Sequence, residues 1–250
     1  MSRHAAAGGP RTARLQIDRV RTARYPDVEA SLTVYRGEVL GIAGLIGAGR
    51  SELAEAVCGI RARLSGRVLV DGVPLTIATP RDAIRHGICL VPEDRRGRGV
   101  IGAMSVRDNI TLPNLAAFAR LGLVNRRAEA AAQDAATALT VKAPSIEAPV
   151  ATLSGANQQK VVLGRWLALA PRVIVFDEPT QGIDVGAKAE IHRLIRRLAD
   201  EGAAVVLISS DLEEIVAESD RVGVMHDGRV TGVLDREHCT PRSIMQLAVA

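Results

Sequence analysis

Apolar residues in this chain cluster in short unbroken runs, and between the runs lie longer stretches in which they recur every three or four positions. Five runs read as strands: "EVLGIAGL" (38 to 45), "GICLVP" (87 to 92), "RVIVFDE" (172 to 178), "AAVVLISS" (203 to 210) and "RVGVMHDG" (221 to 228). Runs of this kind separated by helical spacing predict a mostly parallel sheet covered by helices. The earlier runs "RLQIDRV", "EASLTVY" and "GRVLVDG" read as a more exposed, antiparallel portion. From about 186 to 200 a helix is predicted, with Ile191, Leu194, Ile195 and Leu198 as its core stripe. Lys188, His192, Arg193, Arg196 and Arg197 take its other face, so His192 is expected on a solvated surface. The stretch from about 95 to 150 lacks strand runs, and its "RRAEAAAQDAATALTV" has helical spacing. It reads as a helical lobe inserted into the sheet domain.

Composition narrows this picture. The 250 residues suffice for one α/β domain, or a domain with a small lobe. With 47% hydrophobic residues but only 2% aromatic, the core is built from Ala, Val, Leu and Ile, and few rings remain to stack on bases. The net charge of +4 comes from arginines interleaved with 28 carboxylates, so no nucleic-acid partner is expected. Cys58, Cys89 and Cys239 lie far apart without a C-x-x-C pair, which argues against a disulfide framework or a zinc site and for a reducing cytosol. No apolar run approaches the roughly 20 residues that span a bilayer. Residues 1–13 read as a linker or disordered start, residues 14–250 as the domain, and about 95–165 as its helical subdomain. His86, His226 and His238 show no metal-ligand spacing, and His226 precedes "DG", a hairpin-turn signal.

Candidate chemistry sits where strands end, as expected in an open α/β sheet. In "GLIGAGRS", Gly44, Gly47, Ala48, Gly49, Arg50 and Ser51 match the spacing of a phosphate-cradling P-loop, except that Arg50 stands in the lysine position. The glycines turn backbone N–H groups inward, the helix N-terminus favours an anion, and Ser51 supplies a hydroxyl for Mg²⁺. A glycine turn or a dinucleotide loop also fits these residues alone. In "RVIVFDEPT", Asp177 fits a Mg²⁺ ligand acting through water and Glu178 a group that polarises the attacking water; a helix cap or salt bridge is the plainer alternative. In "LSGANQQKVVLGRWLA", Ser154 opens a helix whose Val162, Trp166 and Ala170 share a face. Ser154 is an N-cap and, with Gly155, presents N–H groups and a hydroxyl to an anion, while "NQQK" exceeds the needs of a cap.

Together with "VIVFDEPTQGIDVGAK" and "VPEDRRGRGV", and in this order, these motifs resemble an ABC-transporter nucleotide-binding domain. More narrowly, they resemble the C-terminal of the two ATPase cassettes in importers of ribose, xylose, galactose and arabinose, from about residue 15 to the end. The resemblance implies a P-loop NTPase fold with ATP and Mg²⁺ as ligands. It implies Glu178 as catalytic carboxylate, Ser51 and Asp177 at Mg²⁺, and Leu153, Ser154, Gly155, Ala156 and Asn157 as the signature that meets a partner's ATP. Glu93 then stands at the Q-loop position, Ser210 at the switch position and Asp184 in the D-loop. Several positions depart from the general pattern: Arg50 replaces lysine, Glu93 glutamine, Ser210 histidine, and Ala156 and Asn157 the usual Gly and Gln. Tyr25 is the candidate for stacking on adenine.

In that family two cassettes pair head to tail, so each ATP lies between one P-loop and the other cassette's signature. The expectation is therefore a degenerate site at this chain's own P-loop and an intact signature donated to a partner. A planar guanidinium is bulkier than an ammonium, and Ser210 is expected neither to reach nor to donate as histidine would. The implied partners are a second cassette, in the same or a separate polypeptide, an integral membrane permease and, indirectly, an extracytoplasmic sugar-binding protein. The implied location is peripheral, at the cytoplasmic face of the plasma membrane. A start just before the first strand points to a fragment or a split gene. Rival readings are a self-sufficient ATPase homodimer, a DNA-repair or chromosome-organising ATPase, which needs a long coiled-coil insertion, and a regulatory or ribosome-acting cassette.

Overall fold

The computed structural model describes residues 11–115, 119–120, 123–124, 126–167 and 169–250. They fall into two compact units: one comprises residues up to Leu90 with Arg172–Glu178 and Ala189–Ala250, the other Val91–Pro171 with Pro179–Lys188. The linker expected over 1–13 lies outside the described residues as far as residue 10.

The first unit begins with β1 (Ala13–Thr22) and β2 (Ala30–Tyr35), paired antiparallel with Leu15 opposite Val34 and Ile17 opposite Leu32. These four side chains are buried while their neighbours face outward, the alternation that an antiparallel sheet with one wet face requires. After β3 (Val39–Gly44) and α1 (Arg50–Val57), β4 (Arg63–Val70) joins β1 on its other side and β5 (Val73–Leu75) forms the edge, giving the order β2-β1-β4-β5. Next comes α2 (Pro80–Arg85), opened by a capping box: the Asp82 N–H donates to the Thr79 hydroxyl and the Thr79 N–H to the Asp82 carboxylate. Strand β6 (Ile88–Val91) is buried throughout.

Within the second unit, α3 (Val106–Thr111) is capped by Ser105, whose hydroxyl accepts the Asp108 N–H. The stretch expected to lack strands holds a small antiparallel ribbon, β7 (Ala119–Arg120) with β8 (Leu123–Val124). Two-residue strands are too short to leave a period in the sequence. Then follow α4 (Arg126–Ala138) and α5 (Gly155–Leu167). Val162 on α5 is buried as expected, but Ala170 lies beyond the helix end, exposed and at φ 44°, so it does not share that face. The buried Arg165 donates to the backbone and side-chain oxygens of Asn109 at 3.1 and 3.0 Å. The Asn109 amide nitrogen in turn donates to the carbonyls of Ile101, Met104 and Ser105. Burial lowers the pKa of the Arg165 guanidinium, so this charge depends on its hydrogen bonds.

The chain returns through β9 (Val173–Asp177), α6 (Val185–Asp200), β10 (Ala204–Ile208), α7 (Leu212–Glu218), β11 (Arg221–His226), β12 (Arg229–Asp235) and α8 (Pro241–Ala248). The six-stranded sheet runs β12-β11-β3-β10-β9-β6, with β9, β10, β3 and β11 mutually parallel. These are the strands read from unbroken apolar runs. The sequence pattern passed over β12, which pairs antiparallel with β11 across Asp227 and Gly228, both at positive φ as the "DG" signal predicts.

On α6 the stripe Ile191, Leu194, Ile195 and Leu198 is buried as expected. His192 is not solvated: its ring nitrogens face Glu214 and Glu218 of α7, and only 18% of its side chain is exposed. Arg196 likewise grips both Asp220 carboxylate oxygens at 3.0 Å. A polar helix face shows only that it avoids the apolar core; here it meets another helix.

Candidate functional site

The first unit gathers its chemistry at the ends of β3, β9 and β10. Strand β3 stops at Gly44, and the loop to α1 passes through Gly47 and Gly49 at φ 87° and 94°, a region that a side chain would strain. A Cβ on Gly49 would come within 2.8 Å of the Tyr25 ring. No side chain caps α1, so its first N–H groups remain for a ligand, with the helix dipole behind them. Ala48 is buried beneath the loop, and Ile46 at its crest is 97% exposed.

Tyr25, whose spacing from the motifs carries no signal, is brought onto this loop. Its hydroxyl donates to the Gly47 carbonyl, and its ring packs on Gly49 and Gly228. Arg24 lies over the ring at 5.6 Å and donates to Glu52 at 2.9 Å. Sequence reasoning missed Arg24 and Glu52, which belong to no motif.

Ser51, on the first turn of α1, donates to Asp177 Oδ1 at 3.1 Å. A hydroxyl and a carboxylate in contact are oxygen donors of the kind a hard divalent cation takes, so these residues fit Mg²⁺. Arg50 turns to the strand ends: Nη1 donates to the Ser209 carbonyl at 2.8 Å, and Nη2 lies 4.0 Å from Glu178 Oε1. Glu178 adopts φ 48°, a conformation costing about 1 kcal/mol or more for a residue with a side chain, and its N–H donates to the Ile208 carbonyl at 2.9 Å. Ser210, which stands where the family pattern has a histidine, donates to Glu178 Oε2 at 3.2 Å. No sequence pattern could show Ser209 as a partner, because it acts through its backbone.

The second unit holds the remaining predicted residues. Leu153 is buried, and Ser154 precedes α5. The Ser154 hydroxyl accepts the Asn157 N–H at 3.4 Å, the bond of an N-cap, and the Asn157 side-chain amide at 2.9 Å. Asn157 Oδ1 accepts the Lys142 N–H at 2.8 Å. Gln158 donates to the carbonyls of Val150 and Leu153, and Lys160 to that of Thr140. The polar run after Ser154 thus anchors the segment to its own unit. Gly155 and Ala156 form the first turn of α5. Asp184 accepts the Ala187 N–H at 3.0 Å at the start of α6, and Glu93 is exposed just beyond β6.

Among the described residues no helix is long and apolar enough to cross a membrane. The three cysteines are buried, and desolvation raises the Cys58 thiol pKa and pushes that of Cys89 up to about 12.

Residues 28–181 match the family described as ABC transporter. The chain is 52% identical over 221 residues to the ribose import ATP-binding protein RbsA 2 of Streptomyces avermitilis, a match covering 88% of this chain and 44% of that relative. It therefore spans under half the length of the curated relatives it matches. Among solved structures it superposes on the ADP conformation of the ATP-binding cassette MJ1267 with a TM-score of 0.76 at 20% identity, covering 95% of this chain and 99% of that one. The dimeric, post-hydrolysis ATP-binding cassette MJ0796, bound to ADP and Pi, gives 0.73 at 20% identity, covering 89% and 98%. The P-loop, the paired acids and the Leu-Ser-Gly segment agree with that match, which takes in more than half of the residues: the chain belongs to the ABC transporter family and has the fold of its ATPase cassette.

Proposed function

We propose that the chain is one ATPase cassette of a carbohydrate importer for a pentose or hexose, which binds ATP at its own P-loop, hydrolyses it weakly or not at all there, and donates Ser154 to the site of a second cassette. The kinship with a ribose import protein supports the substrate class, and the dimer formed by a cassette of the same fold supports the pairing. The observation that carries the weak own site is the direction of Arg50, which faces Ser209 and Glu178.

The loop N–H groups and α1 hold the phosphates whatever residue stands at 50. Ser51 and Asp177 would hold Mg²⁺, which when bound neutralises charge on the β- and γ-phosphates. Glu178 is placed to orient water, but neither Arg50 nor Ser210 supplies the donors of a lysine and a histidine. Losing one preorganised donor commonly lowers a rate about 10² to 10³-fold, and two are replaced here. At the partner's site Ser154 and the Gly155 N–H bind the phosphate, and Asp184 lines the same junction. Glu93 and the helical unit face the permease, which an extracytoplasmic sugar-binding protein supplies, so the chain sits peripherally at the cytoplasmic face of the membrane without nucleic acid.

Incubating the isolated chain with ATP and Mg²⁺ tests this. Turnover should stay below about 0.01 per second, whereas about one per second, the low end of ordinary enzymes, would sink the reading in favour of a self-sufficient homodimer.

A further inference from the structure

We propose that Arg50 and Ser210 form a lock on Glu178, so that this site is silenced by engagement of its carboxylate and not only by missing parts. The proposal rests on the reading of a weak own site and supplies its cause. Its basis is a closed ring of contacts within the first unit. Arg50 Nη1 donates to the Ser209 carbonyl at 2.8 Å; the next residue, Ser210, donates to Glu178 Oε2 at 3.2 Å; and Glu178 Oε1 lies 4.0 Å from Arg50 Nη2. The Arg50 and Glu178 side chains are each 11% exposed, so their mutual attraction is screened less than that of a surface pair, while Ser210 closes the ring from its exposed side.

Two of the chain's departures from the family pattern, at positions 50 and 210, therefore meet on one carboxylate. Both substituents suit that task. A guanidinium is a planar fork that reaches a carbonyl and a carboxylate in different directions at once, which a single ammonium does less well. A serine hydroxyl is short enough to lie against the carboxylate without filling the space beyond it. Each Glu178 carboxylate oxygen thus faces a protein donor. The Glu178 N–H bond to Ile208 and the left-handed backbone fix the direction of the side chain. A guanidinium held by Ser209 and Glu178 is also withheld from the loop, so phosphate must compete with the ring for Arg50.

The test uses the full chain in two arms. Without nucleotide, Arg50→Met and Glu178→Gln should each lower the melting temperature by about 3 °C, and the double variant should fall no further than the worse single one. Additive losses overturn the lock. In the second arm, ATP turnover with Mg²⁺ is measured for Arg50→Lys and for Arg50→Lys with Ser210→Ala. Freeing Glu178 from Ser210 should raise turnover by a further factor of about three to five, the worth of one hydrogen bond. A fall instead would make Ser210 a transition-state donor and overturn the lock. If the unaltered chain already turns over about once per second, the weak-site reading fails, and the stability cycle alone decides the lock.

Discussion

At the strand ends of the first unit, functional side chains answer one another: Ser51 with Asp177, and Glu178 with Arg50 and Ser210. Around Ser154 in the second unit, Gln158 and Lys160 reach backbone carbonyls, and Asn157 reaches both a backbone N–H and the Ser154 hydroxyl. The first arrangement binds its polar groups among themselves, so a nucleotide must rearrange them. The second holds its serine on a frame whose other polar groups are tied to its own backbone. The two segments thus differ in what ties them down: the first mainly in contacts among side chains, the second mainly in side-chain bonds to its own backbone, with Asn157 also on the Ser154 hydroxyl.

The sharpest way to break this comparison is to remove the presented serine. In the assembled transporter, Ser154→Ala should lower ATPase activity at least about 100-fold, the loss of one preorganised donor, while leaving nucleotide affinity of the isolated chain unchanged. Equal loss of affinity in the isolated chain would erase the distinction. Next in size is Arg165→Met, which removes two buried hydrogen bonds to the Asn109 oxygens, Oδ1 keeping the Ile101 N–H, and should destabilise by about 2 kcal/mol. Hydrogen exchange should rise in α3 and α5 and not in β9 or β10; uniform loosening would show that the two units unfold together. The smallest effect is expected at the α2 cap. Hydrogen bonds from the Thr79 hydroxyl and backbone N–H hold the Asp82 carboxyl below the usual carboxylate range. A depressed acid stabilises the fold above its unfolded pKa and loses that contribution as pH falls through the folded one. Asp82→Asn should therefore lower the melting temperature slightly at neutral pH, with the difference closing once the pH drops below the ordinary carboxylate range.

Much of the sheet could be read in advance because β3, β9, β10 and β11 are buried on both faces, which forces unbroken apolar runs. Strand β12 is only partly covered, and its "RVTGVLD" carries a weaker pattern. Gly47, Gly49, Ser51, Asp177 and Glu178 stood out in the sequence because their spacing is that of a phosphate loop and a pair of acids at a strand end, and the fold does bring Ser51 onto Asp177. Their present partners were not legible. Arg50 is held by a backbone carbonyl, and His192 by acids some twenty residues away on α7, contacts that leave no spacing to detect. The polar "NQQK" was visible, yet its anchoring role depends on where Val150, Leu153 and Thr140 point their carbonyls.

The chain's aromatic residues happen to label the two units separately. Tyr25 and Tyr35 belong to the first, and the single tryptophan, Trp166, belongs to α5 in the second. Its indole N–H is buried without a hydrogen-bond partner among the described residues. The tryptophan emission is therefore a built-in optical gauge of the unit that carries Ser154, while the emission of Tyr25 and Tyr35 together reports on the unit that carries the glycine loop. A titration followed in both signals compares the two units with no added dye.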